Sequence, residues 1–216
     1  MSGILYRDFL IIKKKYANVK TAVLLTVGVI GSIILGFYLS SILGLMLPLI
    51  TGGIVVSIFS EDDKDNWNKA VKTLPVSNLE IVGARYAIVE FMIVVTACIG
   101  ALFNVLAALM HSEDFMAIYY IFPLVGIVMA TISSLFTLPF CYKYGVQGAN
   151  STSIAILFII GAGVAYIRKG QGLNVIKNIE NIPFLWLVIG LVLFIFALLI
   201  LSIYISVKVF EKENVK

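Results

Sequence analysis

The sequence predicts an all-α membrane protein with six transmembrane helices, on the basis of its composition and the length of its apolar runs. The chain of 216 residues is 61% hydrophobic and only 13% charged, whereas a soluble domain has roughly 25% charged residues. The apolar residues fall in runs of about 20, the length of a helix that crosses the hydrocarbon core of a bilayer. The basic residues behind the net charge of +4 lie at the ends of these runs, so membrane topology explains them and nucleic-acid binding is not indicated. We expect residues 1–216 to form a single membrane domain.

Residues 3–18 precede the first apolar run and have the pattern of an amphipathic helix. One helical face is apolar and consists of Leu5, Phe9, Ile12 and Tyr16. The other faces carry basic side chains, and a basic amphipathic segment next to a span is typical of a helix in the membrane interface. We therefore expect residues 3–18 to lie on membrane lipid.

Six apolar segments have the length and composition of membrane spans. They are residues 21–39, 42–60, 84–110, 118–140, 151–167 and 184–207. The third belongs to a predicted helix from about Asn78 to Met110, which is about 50 Å long at 1.5 Å per residue. Because the hydrocarbon core is roughly 30 Å thick, the first turns of this helix stand outside it. We expect Pro48 to bend the second span and residues 142–150 to form a short loop.

The basic residues set the orientation of these spans. With six spans, thirteen of the sixteen Lys and Arg residues fall on the side of the two termini. The other three are Arg168, Lys169 and Lys177. Loops rich in Lys and Arg stay in the cytoplasm. We therefore expect both termini and the loop after the second span to be cytoplasmic.

Small residues recur at every fourth position of the first span, at Gly28, Ser32 and Gly36. This spacing lets a second helix approach closely, which makes these residues candidates for a dimer seam. Small residues are also frequent in membrane helices in general, so the pattern alone leaves the seam open.

The longest break between apolar segments contains a short predicted helix at residues 66–74. Its apolar face has the spacing i, i+3, i+4 and i+7 and consists of Trp67, Ala70, Val71 and Leu74. Lys69 lies on another face, and Pro75 ends the helix because it cannot donate a backbone hydrogen bond. Ser77 and Glu80 have the spacing of a capping box that opens the next helix. An aromatic on such a face suits either the lipid headgroups or a groove on a partner protein.

Glu90 is the one acidic residue within the six predicted spans. An acid at this depth is a functional candidate by default, but near the cytoplasmic face it can also reach water or pair with a basic side chain. Hydroxyl groups crowd the fourth span at Thr131, Ser134 and Thr137. Such groups often bond back to their own helix, and they could instead line a path for polar groups. These four residues are our candidates for a translocation path.

Signatures of catalysis are missing from the sequence. It contains no G-x-x-x-x-G-K-[ST] loop for nucleotide phosphates. His111 is the single histidine, which excludes metal sites that need two histidines. We expect no enzymatic activity, metal or cofactor in this chain.

The residues from Glu61 to Tyr86 carry a resemblance to a known family. Acidic residues fill four of the five positions 61–65, Trp67 follows, and the runs TLPVS and VGARY come after it. This stretch resembles one in small bacterial members of the ABC-2 type permease family, among them permeases of peptide-toxin and antimicrobial-peptide exporters. The order of an interfacial helix, two spans, a cytosolic helix and four more spans is similar to that family over essentially the whole chain.

The resemblance implies that residues 3–18 are a connecting helix and that residues 66–74 are a coupling helix, which fits a groove on a separate ATP-binding subunit. That subunit would bind ATP and Mg²⁺ and carry out hydrolysis. The resemblance also implies a homo- or heterodimer of permeases in a bacterial cytoplasmic membrane, with the first and fifth spans at the seam. Residues 168–182 would correspond to external re-entrant helices, although their three basic residues are not typical of such helices.

The sequence thus predicts the permease subunit of an ATP-driven ABC exporter. Spans rich in hydroxyls and aromatics but poor in fixed charge favour an amphipathic substrate, a cationic peptide first and a lipophilic compound next. Two other classes stay open, a non-transporting immunity or assembly protein of the membrane and an ion-coupled secondary transporter that uses Glu90. An ATPase gene beside the gene for this chain would favour the exporter.

Overall fold

The computed structural model describes five stretches of the chain, which are residues 2–65, 67–73, 75–110, 118–168 and 184–214. The side chains of some residues inside these stretches, including Ser32 and Lys69, lie outside the description. Within the described stretches every regular element is helical, so the prediction of an all-α fold is confirmed. The helices are α1 (Ser2–Tyr16), α2 (Val19–Leu35), α3 (Phe37–Ile50), α4 (Gly52–Asp65), α5 (Trp67–Ala70), α6 (Asn78–Met110), α7 (Ile118–Arg168) and α8 (Phe184–Asn214).

Four helical stretches in the described part of the chain are long and apolar enough to cross a membrane. They are Leu39–Asp65, Asn78–Met110, Ile121–Ile156 and Val188–Lys212. They correspond to the predicted second, third, fourth and sixth spans, so the expectation of six spans is supported in part. The predicted first span contains the shorter apolar stretch Lys20–Gly31, and the predicted fifth span is the last part of α7. His111 and nearly all of the external connection predicted at 168–182 lie outside the described residues.

The loop predicted at residues 142–150 is helical except for a sharp reversal inside α7. Gly145 has φ +59° and ψ −145°, a backbone conformation that residues with a side chain rarely adopt. Beyond it, Gly148 lies against the backbone of Phe140, although eight residues of continuous helix would separate them by about 12 Å. The chain therefore folds back at Gly145, and the two limbs of α7 run side by side.

A second reversal joins α2 to α3 at Gly36, which has φ +59° and ψ −137°. Gly31 of α2 then lies against Leu39 of α3. In the same hairpin a Cβ added to Gly28 would sit 3.2 Å from the ring of Phe103. Within one chain, the positive φ thus favours glycine at position 36, and Gly28 allows the close approach of Phe103. The dimer seam through Gly28, Ser32 and Gly36 stays a prediction, since it concerns a second copy.

The interruption of the second span falls at Thr51, between α3 and α4, three residues beyond the bend expected at Pro48. The Thr51 backbone N–H donates to the Pro48 carbonyl oxygen at 3.1 Å, a bond to residue i−3 that tightens the turn. α3 is central to the bundle because it packs against α2, α6 and α7. Its closest approach is to α6, where a Cβ on Gly100 would lie 2.9 Å from the Cα of Gly44.

α1 packs against α4 and α6 with a face that overlaps the predicted apolar face, since Leu5, Ile12 and Tyr16 contact the core. Its buried stripe is Ile4, Asp8 and Ile12, whereas Phe9 of the predicted apolar face is 44% exposed. The helix is turned in this way because the Asp8 carboxylate faces the Arg85 guanidinium of α6. An ion pair therefore sets which side of α1 is inside.

α6 begins at the predicted capping box. The Ser77 backbone N–H donates to the Glu80 carboxylate at 3.0 Å, and the Glu80 N–H donates to the Ser77 hydroxyl at 3.3 Å. Of the short helix predicted at residues 66–74, the structure describes residues 67–73. There α5 ends at Ala70 and continues as a 3₁₀ turn over Val71–Thr73.

Candidate functional site

Four charged side chains from three helices form a compact group at the end of the bundle where α4 ends and α6 begins. We call Arg7, Asp8, Asp62 and Arg85 the ionic cluster. Arg7 Nη1 donates to Asp62 Oδ1 at 2.8 Å and lies 3.2 Å from Asp8 Oδ1. Arg85 Nη2 donates to Asp62 Oδ2, and its Nε lies 3.7 Å from Asp8 Oδ2. Two positive and two negative charges therefore alternate in a ring that ties α1, α4 and α6 together.

The ionic cluster is largely out of contact with solvent. The side chains of Asp8, Asp62 and Arg85 are at most 3% exposed, and that of Arg7 is 19% exposed. Burial raises the pKa of the Asp8 carboxyl above its ordinary value, and the guanidinium of Arg85 opposes this shift. Buried charges are tolerated when each has a partner, and loss of one partner is strongly destabilising. The ring therefore fixes the relative positions of its helices.

Aromatic rings complete the surroundings of Arg85. Its guanidinium carbon lies 4.6 Å from the ring centre of Phe59 and 5.8 Å from that of Tyr142, within the range of cation–π attraction. Tyr142 also packs edge-on against Phe59 and Phe210, with ring centres 5.2 and 5.7 Å apart. Through Tyr142 and Phe210 the cluster reaches the first limb of α7 and the end of α8.

The short segment predicted to meet a partner is seated on this cluster. The guanidinium carbon of Arg7 lies 3.9 Å from the ring centre of Trp67, and the buried indole N–H has no acceptor in the described part of the chain. Val71 is buried in the chain's own core, so it presents no surface to a partner, whereas Ala70 is exposed. The Lys69 side chain and Leu74 lie outside the description. We call residues 67–73 the protruding segment.

Three of the four candidates for the translocation path meet in space. The Glu90 carboxylate of α6 accepts a hydrogen bond from Thr131 at 3.0 Å and one from Ser134 at 2.7 Å, both on the first limb of α7. We call these three residues the hydroxyl cluster. The Ser134 hydroxyl also lies 2.8 Å from the Thr131 carbonyl oxygen, and its single proton can serve only one acceptor fully. The ion pairs made by the described residues do not include Glu90.

Thr137 does not join this group. Its hydroxyl donates to the Ser133 carbonyl oxygen of its own helix at 2.8 Å, the back-bonding that is common for hydroxyls in membrane helices. A polar contact that the sequence did not suggest lies one turn from Glu90. There the Tyr86 hydroxyl is 2.6 Å from Ser202 Oγ and 2.8 Å from Ser206 Oγ, which fastens α6 to α8.

The ionic cluster is the main feature that sequence reasoning missed. In the sequence, Asp62 and Arg85 belong to the stretch that resembles the family, and Arg7 is one of the basic residues of the predicted interfacial helix. A signal was present in the apolar spacing of Ile4, Asp8 and Ile12, since a charge on a buried stripe requires a partner. The identity of that partner cannot be read from neighbouring residues, because Arg85, which faces Asp8, lies 77 residues further along the chain.

Comparison with known proteins supports the resemblance seen in the sequence. A family model described as "ABC-2 family transporter protein" matches residues 3–211. No curated protein and no solved structure matches the chain. The matched stretch takes in nearly all of the described helices, and four of these are long and apolar enough to cross a membrane, as in a multi-pass permease of an ABC transporter. The chain therefore belongs to the ABC-2 family of transporter proteins.

Proposed function

We propose that this chain is the permease subunit of an ATP-driven exporter, in which the protruding segment receives the motion of a separate ATP-binding subunit. The observation that carries the proposal is the seating of that segment on the ionic cluster. Trp67 stacks on Arg7, Arg7 pairs with Asp62, and Asp62 pairs with Arg85. A push on the segment would therefore reach α1, α4 and α6 together rather than bend a loose loop.

The surface offered to the ATP-binding subunit follows from the burial of the segment. Trp67 is half-buried and Val71 is buried, so they hold the segment to the permease, whereas Ala70 is exposed. We therefore place the docking contact around Ala70 and the outer edge of the Trp67 ring. ATP and Mg²⁺ would be bound by the partner subunit, and this chain would supply no catalytic group.

The hydroxyl cluster supports the proposed class of substrate. The Glu90 carboxylate accepts hydrogen bonds from two hydroxyls and has no ion pair with any described residue. A positive group on a substrate can therefore pair with it. A carboxylate has about four acceptor positions, and two are used here. We propose export of an amphipathic cationic peptide, with a lipophilic compound as the second choice. Thr137 bonds to its own helix and is left out of the proposed path.

We propose that the subunit works as a dimer, with itself or with a related permease, in the cytoplasmic membrane of a bacterium. Both termini and the protruding segment would face the cytoplasm, as the distribution of Lys and Arg favours. Membrane lipid surrounds the bundle, and the described helices leave many large apolar side chains uncovered, such as Val27 on α2 and Phe194 on α8. The seam residues are those given by the sequence, Gly28, Ser32 and Gly36.

Two substitutions in the protruding segment test the docking proposal. Trp67→Ala should weaken binding of the ATP-binding subunit about 30-fold, because truncation of an aromatic anchor costs about 2 kcal/mol. Since Trp67 also contacts Arg7, this variant can disturb the permease itself. Ala70→Glu changes only an exposed position, and we expect it to weaken binding at least about tenfold. Co-purification with a candidate ATP-binding subunit measures both.

Ala17→Glu is the matched control, since it makes the same change at an exposed alanine between α1 and α2, on the same side of the membrane. It should leave co-purification unchanged, and all variants should insert at wild-type levels. Normal co-purification of both Trp67→Ala and Ala70→Glu would mean that the segment rests on lipid headgroups. If the wild-type chain retains no ATP-binding subunit at all, a non-transporting immunity or assembly role would replace the exporter.

A further inference from the structure

A groove with excess positive charge lies between α1 and the end of α4, with a volume of about 600 Å³. Its charged lining residues are Arg7, Lys14, Lys15, Glu61, Lys64 and Asp65. Both acids have partners, since Glu61 lies 2.7 Å from Lys64 and Asp65 lies 3.8 Å from Arg7. Lys14 and Lys15 are exposed and take part in none of the ion pairs of the described residues. These two lysines are therefore available to an anion.

An apolar cleft of about 490 Å³ lies on the other side of α1, against α6. Its walls include Leu5 and Phe9 of α1 and Phe91 of α6, and the two phenylalanines are 44% and 58% exposed. Tyr6 lines both the groove and the cleft. A charged recess and an apolar recess thus adjoin along one ridge of α1.

The two recesses lie at different depths. The groove is at the level of the ionic cluster, where α4 ends. The cleft extends along α6 to Phe91, six residues or about 9 Å beyond Arg85, which leads toward the hydrocarbon. A ligand with an anionic head and an apolar chain matches this order of polarity.

We propose that groove and cleft together bind one anionic phospholipid of the inner leaflet. Its phosphate would lie between Lys14 and Lys15, and an acyl chain would cross Tyr6 to lie against Phe9 and Phe91. Lysines near a membrane surface attract anionic headgroups, and their long stems can extend along apolar surface to reach them. The proposal rests on the orientation given under the proposed function, with α1 on the cytoplasmic side, and is independent of transport.

Lipid binding to the purified full-length chain tests this site. Native mass spectrometry with added dioleoyl-phosphatidylglycerol or dioleoyl-phosphatidylcholine gives the affinity for each lipid. The double variant Lys14→Gln/Lys15→Gln should bind phosphatidylglycerol about 30-fold more weakly, which corresponds to roughly 2 kcal/mol for two lysines near an anionic headgroup. Its affinity for phosphatidylcholine should change much less, because the choline cation offsets the negative charge of that phosphate. Lys208→Gln/Lys212→Gln removes the same charge from exposed positions of α8 and should change neither affinity.

The apolar cleft is tested separately with Phe91→Ala. Because Phe91 is exposed, truncation of its side chain should not disturb folding. This variant should lower the affinity for both lipids to the same extent, because the substitution removes only apolar contacts. Equal phosphatidylglycerol binding by wild type and the lysine variant would overturn the proposal. Competition by free glycerol phosphate at lipid-like concentrations would assign the groove to a soluble phosphate instead. The lysine variant could instead bind lipid normally but fail to co-purify with the ATP-binding subunit. That result would identify the groove as a protein-docking surface and would contradict the proposal.

Discussion

The ionic cluster and the hydroxyl cluster surround their carboxylates with different partners. In the ionic cluster two aspartates alternate with two arginines, and each carboxylate is met by both guanidinium groups. In the hydroxyl cluster the carboxylate of Glu90 is met by two neutral hydroxyls. The first arrangement is balanced in charge, whereas the second contains no basic group of the described residues.

The two clusters therefore suit different roles. The ionic cluster suits a holding role, in which it fixes helices to one another, and the hydroxyl cluster suits a receiving role, in which Glu90 accepts a cation of the substrate. A balanced ring gains nothing from a further cation, and its burial leaves little room for one, so it suits a fixed joint between helices. A half-buried carboxylate with spare acceptor positions is stabilised by an incoming cation. The two clusters lie on the same helix, α6, at Arg85 and Glu90, so the joint and the proposed receiving site are only about 8 Å apart along its axis.

The largest effect is expected when the balance of the ionic cluster is broken. Asp62→Ala leaves Asp8 as the one buried acid beside the guanidinium groups of Arg7 and Arg85, since Asp65, 3.8 Å from Arg7, is exposed. Removal of one partner from a buried charge group costs about 3–5 kcal/mol. The free energy of unfolding of the purified chain in detergent should fall by this amount. The drop would be measured by denaturant titration.

Asp63→Ala is the control for this prediction, because Asp63 is the exposed neighbour of Asp62. It should change the free energy of unfolding by less than about 0.5 kcal/mol. A similar small change for Asp62→Ala would show that the ring of charges does not hold the helices together.

A smaller loss of stability is expected from Ser134→Ala in the hydroxyl cluster. Its size shows which acceptor receives the Ser134 hydroxyl proton. If Ser134 donates to Glu90, Ser134→Ala removes a hydrogen bond to a charged group, worth about 1.5–3 kcal/mol. In a Glu90→Gln background the same substitution removes only a neutral bond of about 1 kcal/mol. Unfolding measurements on the four proteins of this cycle give both values.

Equal losses in the two backgrounds would mean that Ser134 bonds to the Thr131 carbonyl oxygen instead. Thr137→Val serves as the reference, because Thr137 bonds to its own helix and has no described contact with Glu90. Its effect should be the same with Glu or Gln at position 90.

The features predictable from the sequence are those that depend on neighbouring residues. The start of α6 follows from Ser77 and Glu80, three positions apart, and the bonds between them are present. Glu90, Thr131 and Ser134 stand out one by one because polar groups are conspicuous in apolar spans. Their meeting depends on the rotation of α7 against α6, which periodicity within one helix does not determine.

The reversals and the ionic cluster depend on contacts between distant parts of the chain. Gly36 looked like a packing residue and is a turn residue, because a positive φ leaves no mark on hydrophobic periodicity. Asp8 is not among the residues that the sequence singles out, yet it is buried, because Arg85 of a distant helix supplies its partner. In both cases the missing information is tertiary, and it changes the role of the residue rather than the helix that contains it.

The measurement that tests the division between holding and receiving most directly is ATP-dependent uptake of two matched peptides by inverted membrane vesicles. The peptides should share one sequence, with lysines in the first replaced by glutamines in the second. For Glu90→Gln, which keeps the shape but replaces one acceptor oxygen with an N–H donor, we predict that transport of the cationic peptide falls about tenfold relative to the neutral one. That ratio corresponds to roughly 1.4 kcal/mol, the size of a hydrogen bond to a charged group. An unchanged ratio of cationic to neutral transport would contradict the receiving role of Glu90.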